Sequence, residues 1–314
     1  MNKFRKFASR STSMLIKYPA GAISGSILLA FLVAGLASSV IAPFGPDDQN
    51  AGSPLTGPTS VNPFGVDQLG RDVLSRVIDA AKVAMPVSIF SVAMALVVGG
   101  LIGVIAGYTG GWVDRLLSRL MDVIFAFPAL LLAIILVAVL SPALQNAIIA
   151  IAIVYTPRFA RVARGSTLTV KNLEFIDAAR LAGVSSARIA VRHVLPNILT
   201  PLVVLAALSM STAQLTYAAL SFLGLGASPP QADYGSMLAK ATDSMSFAPW
   251  LVIFPAIALV ILIGAFNFLG DAARDALDPR SSYTSGSRRR RKLHLGRSDL
   301  GAEVTTQQEP NSRN

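Results

Sequence analysis

The sequence predicts an all-α membrane protein with six transmembrane helices, and three observations carry that prediction. Apolar residues make up 53% of the 314 and charged residues only 14%, against roughly a quarter charged in soluble domains. Six apolar stretches lie near residues 20–41, 83–107, 121–140, 143–163, 197–222 and 249–270. Each reaches or approaches the ~20 residues that a helix needs to cross ~30 Å of hydrocarbon. The cations are also lopsided. With a cytoplasmic N-terminus, 23 of the 27 Lys and Arg face the cytoplasm, all except Arg71, Arg76, Lys82 and Lys240. This positive-inside pattern predicts that both termini are cytoplasmic.

The elements follow in order. Residues 1–19 are a basic cytoplasmic segment carrying Lys3, Arg5, Lys6, Arg10 and Lys17. The apolar run behind it is longer than the 7–15 residues of a signal-peptide core, so residues 20–42 are predicted to be a retained first span. Residues 43–82 form an extracytoplasmic loop, rich in Pro, Gly, Asp and Ser up to Gly65. From Asp67, a good N-cap, Leu69, Val73 and Val77 recur at four-residue spacing, which predicts a short amphipathic helix on the outer surface before span two. A core of five further spans occupies residues 83–271. Gly110-Gly111-Trp112 marks a tight turn with an interfacial anchor, and Ser141-Pro142 a short outer hairpin. Residues 224–247 suit a half-inserted outer lid. The polar tail, residues 272–314, holds five consecutive cations at 288–292; disorder and attraction to anionic lipid are the expectations there.

Between spans four and five, residues 158–195 form a basic polar island, and residues 164–195 within it are the candidate coupling loop. Leu173 to Ala182 suits about three helical turns, with Glu174 and Asp177 early, Arg180 late and Gly183 as a left-handed stop. Ser185 or Ser186 caps a second helix, Ala187 to Val194, before Pro196 opens span five. The small Ala178, Ala179 and Ala182 would let the first helix enter a partner's groove. An ordinary basic loop with a helical turn is the plainer alternative.

Missing chemistry narrows the function. No phosphate-binding Gly-x-x-x-x-Gly-Lys-Ser/Thr loop is present, so nucleotide hydrolysis is not expected of this chain. His193 and His294 are the only histidines and His-Glu-x-x-His is absent, which argues against a zinc protease and makes a Ser-His intramembrane protease a poor fit; no metal site is expected. Cysteine is absent, which excludes disulfides and thiolate sites. No aromatic-and-basic nucleic-acid module accompanies the +10 charge. The spans hold essentially no ionisable residues away from their ends, which weighs against an ion-coupled carrier. Uptake by the isolated chain under an ion gradient would favour that carrier, and a non-transporting membrane scaffold would also explain a partner-docking loop.

Asp177-Ala178-Ala179-x-x-x-Gly183, then Leu195-Pro196, resembles the EAA loop of ABC importer permeases. Three further segments resemble the dipeptide/oligopeptide/nickel branch, C-type subunit: residues 62–76, from Asn62-Pro63-Phe64-Gly65 to Arg76; Gly110-Gly111-Trp112-Val113-Asp114-Arg115 with Phe127-Pro128; and residues 219–230, ending in Pro229-Pro230. The resemblance covers roughly residues 60–280. Asp177 stands where Glu is usual, and His193 where the broad pattern has Ile.

The resemblance implies a type I importer fold, with five core helices and a peripheral first helix. It implies a bacterial inner-membrane permease for dipeptides or oligopeptides, or alternatively for nickel chelates, glutathione or another small solute. The implied partners are a homologous second permease, two ATPase subunits that bind ATP and Mg, and an extracytoplasmic binding protein, with no cofactor on this chain. Glu174, Asp177, Ala178, Ala179, Arg180, Gly183, Leu195 and Pro196 are then the candidate ATPase-coupling residues. Gln214 and Tyr217 on span five are candidates for the translocation path, with helix–helix hydrogen bonding as the equal alternative. Asp67, Arg71 and Asp72 are candidates for binding-protein docking, against the plainer reading of a capped, salt-bridged surface helix. Pro86, Gly99, Gly100, Pro128, Pro201 and Pro255 suit helices that bend along a passage.

Overall fold

The computed structural model describes residues 19–277. A compact unit extends to Ala273, and of the unit that follows only the helical residues to Leu277 are described. The predictions for residues 1–18 and for the tail beyond 277 lie outside the described residues. Eleven α-helices are assigned among those described, in chain order: α1 Pro19–Leu36, α2 Ser38–Ile41, α3 Val73–Thr109, α4 Gly111–Phe125, α5 Ala129–Leu140, α6 Leu144–Val170, α7 Glu174–Leu181, α8 Ser186–Ile189, α9 Leu195–Phe222, α10 Tyr234–Ala241 and α11 Trp250–Leu277. Five runs of helix are long and apolar enough to cross a membrane, or six if the bent pair α4–α5 counts as one span.

Helix α1 is peripheral because its sequence is apolar all round and little of it is covered: only Ser24, Leu28 and Gly35 are buried. Gly35 is the crossing point, since a Cβ there would stand 3.0 Å from the backbone of Ala81 and Lys82 on α3. Just beyond, Ser38 Oγ donates to Asp79 Oδ1 at 2.8 Å.

The surface helix predicted from Asp67 and the span predicted from residue 83 are a single helix. α3 runs 37 residues, ~55 Å at 1.5 Å per residue. It starts at Asp72, whose carboxylate accepts from the Ser75 N–H at 2.7 Å, so Asp72 and not Asp67 is the cap. Nothing between Val77 and Val83 breaks a helix, and the apolar and amphipathic stretches merge. Pro86 lies inside α3 without ending it, as do Pro201 in α9 and Pro255 in α11.

Pro128 does break the chain. The sequence predicts one span over residues 121–140; the structure has α4 and α5 bent by 91° at residues 126–128. Pro128 has no N–H to donate and disfavours helical backbone at the residue before it. α5 is only 12 apolar residues, ~18 Å, which is short of a full crossing. α4 has Met121 buried on one side and Trp112, Leu116, Leu120 and Val123 exposed on the other.

The centre of the fold is the crossing of α3 and α6. Gly99, Gly103 and Gly107 recur at four-residue spacing on α3, and each faces the backbone of α6. A Cβ at Gly99 would lie 2.5 Å from the Thr156 carbonyl, and one at Gly107 2.9 Å from that of Arg164. Small residues at this spacing let two helices touch backbone to backbone where lipid supplies no hydrophobic drive between them. Gly99 therefore serves packing and not the bending predicted for it. Val87, Ala95, Ile151, Phe159, Ile198 and Leu202 fill the adjoining core from α3, α6 and α9. A second cluster joins Leu28 to Leu262 and Phe266 of α11.

Candidate functional site

The polar island lies at the end of the bundle where α3 and α6 terminate, with Lys171 Nζ donating to the Gly107 carbonyl at 2.8 Å. Helix α7 follows after a short turn. Its stop is built as Gly183 predicts: φ is +77°, a region open to glycine at little cost. The Gly183 N–H donates to the Arg180 carbonyl at 3.0 Å and the Val184 N–H to the Ala179 carbonyl at 3.1 Å, which satisfies the last carbonyls of the helix.

Ile176 is buried against the core and Ala179 half-buried, while Glu174, Asp177, Ala178 and Arg180 face outward. Asp177 and Arg180 pair with each other at 2.8 Å. Leu181 is 91% exposed, and Leu173, Phe175 and Val191 on the same loop are exposed too. The face is thus apolar at its tip and charged at its flank.

The second predicted helix, Ala187 to Val194, is helical throughout but changes type midway. α8 spans four residues and passes into a π turn, Ala190–Val194, in which the Leu195 N–H reaches the Ala190 carbonyl five residues back. Pro196 has no N–H with which to carry on an α ladder, and the widened turn accommodates it. Leu195 is half-buried and Pro196 exposed, so the π turn joins the loop to α9 in one continuous rod from Ser186 to Phe222.

Gln214 and Tyr217 point inward. Both are 1% exposed. Gln214 Oε1 accepts from Ser88 Oγ at 2.8 Å, and the Tyr217 hydroxyl accepts from the Ala227 N–H at 3.1 Å. They tie α9 to α3 and to the segment after α9, and line no open passage in this structure.

At the opposite end, Asp67, Arg71 and Asp72 are all buried and lie in the turn that precedes α3, not on a helix of their own. Asp67 accepts from the N–H groups of Leu69 and Arg71 at 2.8 and 3.0 Å and pairs with the Arg71 guanidinium at 2.6 Å. Asp72 accepts from Asn62 Nδ2 at 2.9 Å and from Ser75 Oγ at 2.7 Å. These groups hold the 43–72 loop together and present little surface.

Arg76, which sequence reasoning passes over, is only 2% exposed. It donates to the Pro46 carbonyl at 2.8 Å and to Asp47 Oδ1 at 2.9 Å. Gln68 Nε2 reaches across to the Lys240 carbonyl at 2.6 Å. Burial, then the nearby Arg71 and Arg76, push the Lys240 ammonium below its ordinary value. Asp233 caps α10 through the Ser236 N–H at 3.1 Å and accepts from Ser221 Oγ, so the predicted lid is a packed element anchored on α9.

Two more polar groupings escape the sequence. Arg164 and Asp114 form a double hydrogen bond, 2.5 and 2.7 Å, that fastens α4 to α6. Next to the α4–α5 bend, a cavity of about 170 Å³ is lined by Ile124, Phe125, Phe127, Ala129, Val154, Tyr155 and Arg158. No cluster of three or more His, Asp or Glu with metal-holding geometry occurs among the described residues.

The architecture has relatives. Residues 99–283 match the family of binding-protein-dependent transport system inner membrane components. The chain is 43% identical to the dipeptide transport system permease protein DppC of Alkalihalophilus pseudofirmus over 82% of its own length and 83% of that protein's. It is 44% identical to the glutathione transport system permease protein GsiD of Pectobacterium atrosepticum, over 71% and 74% of the two chains. Among solved structures, an inward-facing form of the MetNI methionine ABC transporter superposes with a TM-score of 0.54 at 21% identity, covering 65% of this chain and 96% of that one; the likeness is one of fold. With an all-helical bundle, the α3–α6 crossing and these matches together, the chain belongs to the family of binding-protein-dependent transport system inner membrane components.

Proposed function

We propose that the chain is the transmembrane permease subunit of an ATP-driven ABC importer for small peptides, supplying half of the translocation pathway. The single observation that carries the coupling role is α7. It is an exposed helix with its inner face seated on the core through Ile176, its tip marked by the bare Leu181, and its end fixed by the Gly183 turn. An exposed helix with the small Ala178 on its outer face leaves room for a partner to approach closely, and this chain carries no nucleotide loop. The partner is then an ATPase subunit that binds ATP and Mg. No catalysis is assigned to this chain.

On this reading the island end faces the cytoplasm, as do both termini, and the 43–72 loop faces outward toward a substrate-binding protein. A homologous second permease completes the passage in the inner membrane. ATP binding closes the ATPase pair, α7 moves as a lever, and the Ser186–Phe222 rod transmits the movement to the membrane.

Peptide as cargo is supported by the dipeptide permease relative. Glutathione, itself a peptide, is the second reading, favoured by the glutathione permease relatives at similar identity. The test is reconstitution in proteoliposomes with both permeases, both ATPases and the binding protein. ATP-dependent accumulation of labelled dipeptide is the expected result, and glutathione competition separates the two cargoes. An ion gradient driving uptake by this chain alone would overturn the proposal.

A further inference from the structure

The cavity beside the α4–α5 bend holds a cation that the rest of the fold does not use. Arg158 is exposed and forms no ion pair among the described residues; its guanidinium stands 5.9 Å from the centre of the Tyr155 ring. Arg158 lies about 21 Å of helix beyond Leu144 on α6, ahead of the loop that carries α7. Its neighbours on α6 have partners: Arg161 reaches Asp122 at 3.4 Å and Arg164 holds Asp114.

The walls have a definite chemistry. Val154 and Tyr155 are buried at the floor, and Phe125, Phe127 and Arg158 are exposed at the rim. The Tyr155 hydroxyl lies 3.2 Å from Thr216 Oγ1 on α9. The Thr216 hydroxyl already donates to the Thr212 carbonyl at 2.9 Å, so the Tyr155 proton goes to Thr216. What Tyr155 then has left to offer is oxygen lone pairs, which accept and do not donate. The cavity therefore joins one strong anion-binding fork to one neutral acceptor, between aromatic walls.

We infer that this cavity is a transit site for the C-terminal end of a peptide, with Arg158 binding the carboxylate and the Tyr155 oxygen accepting from the adjoining peptide N–H. The inference rests on the importer reading and deepens it. A guanidinium matches a carboxylate with two parallel hydrogen bonds, and a peptide terminus places an N–H donor close to that carboxylate. Dipeptides and glutathione share this arrangement. The Phe127 ring at the rim offers an unselective apolar surface to a side chain, while the Phe125 ring lies under the Arg161 guanidinium at 4.3 Å.

The test uses the assembled complex of both permeases and both ATPases, purified without binding protein in neutral-lipid nanodiscs. Equilibrium binding is measured for a labelled dipeptide and for the same dipeptide with an amidated C-terminus. The wild-type complex is expected to favour the free acid. Arg158→Gln should weaken acid binding by about tenfold or more, the usual cost of a charged hydrogen bond, and leave amide binding unchanged. Arg158→Lys should recover part of the preference, and Tyr155→Phe should weaken both ligands modestly. Thermal unfolding of each variant checks that the fold is intact.

Wild-type complex that binds acid and amide equally, or neither, overturns the inference. So does an Arg158→Gln complex with unchanged acid binding, including one that has lost only copurified anionic lipid. The importer reading fails on a different result, namely no ATP-dependent accumulation by the wild-type complex with its binding protein.

Discussion

Gly103 of α3 lies against Ala160 of α6 so closely that a Cβ at residue 103 would overlap the Ala160 carbonyl oxygen and stand 2.5 Å from the Ala163 Cβ. Three residues earlier, Gly100 faces open packing, with Leu202 Cδ1 at 3.8 Å as its nearest neighbour. Gly103→Ala should therefore destabilise the chain by about 1–3 kcal/mol, the range for overpacked cores, and Gly103→Val should prevent recovery of a monodisperse protein. Gly100→Ala should leave the melting temperature in detergent nearly unchanged. Equal melting temperatures for Gly103→Ala and Gly100→Ala would contradict the α3–α6 crossing as the organising contact.

Arg76 supplies a second test, because its role is inferred from burial. Removing one side of a buried charge arrangement typically costs roughly 3–5 kcal/mol, and Arg76 ties residues 46 and 47 to α3. Arg76→Met should lower the melting temperature strongly and expose the 43–72 loop to protease. Asp47→Ala should cost far less, since Asp47 is itself half exposed and the Pro46 carbonyl remains as a partner.

Tyr217 separates structure from transport. Tyr217→Phe removes the hydroxyl that accepts from the Ala227 N–H, leaving that donor without a partner at a cost of about 1–3 kcal/mol. Import rates should fall no further than the lost stability explains. A folded Tyr217→Phe protein with abolished import would return Tyr217 to the passage.

Much of the fold was legible because it depends on local composition: the apolar stretches and the left-handed stop at Gly183; the peripheral first helix came from the resemblance. The misjudged elements depend on what neighbouring segments do. Hydropathy does not register that α3 continues through the polar residues 73–82, since a helix needs no apolar side chains to propagate once capped at Asp72. It registers residues 121–140 as one apolar sum and is blind to the bend at Pro128.

Within the candidate sites, the helix Glu174–Leu181 and its stop at Gly183 read directly from charge order and turn residues, whereas the coupling role comes from the resemblance alone. Asp67, Arg71 and Asp72 look like surface groups because nothing in their spacing reveals that Asn62, Ser75 and the loop backbone enclose them. Arg158 looks like one more cation of the basic island until the structure places it on a cavity wall with no acidic partner among the described residues. The Gly99–Gly103–Gly107 spacing was present to be read as a packing seam, and it was obscured by Gly100 beside it.

The proposal that α7 acts as a lever makes a demand on its exposed surface. Ala178 faces outward, so Ala178→Trp leaves the chain's own core untouched and adds bulk only where a partner would sit. Gly183→Pro acts differently: it forces φ to about −65° where the turn needs +77°, so α7 loses its stop. Both variants should insert into the membrane, and Ala178→Trp should melt at the wild-type temperature.

The most direct measurement is peptide-stimulated ATP hydrolysis and import by the reconstituted complex carrying Ala178→Trp. The expected result is loss of both, with insertion and thermal stability unchanged and the ATPase subunits no longer copurifying. Import at the wild-type rate, with the ATPases still bound, would contradict α7 as the coupling helix.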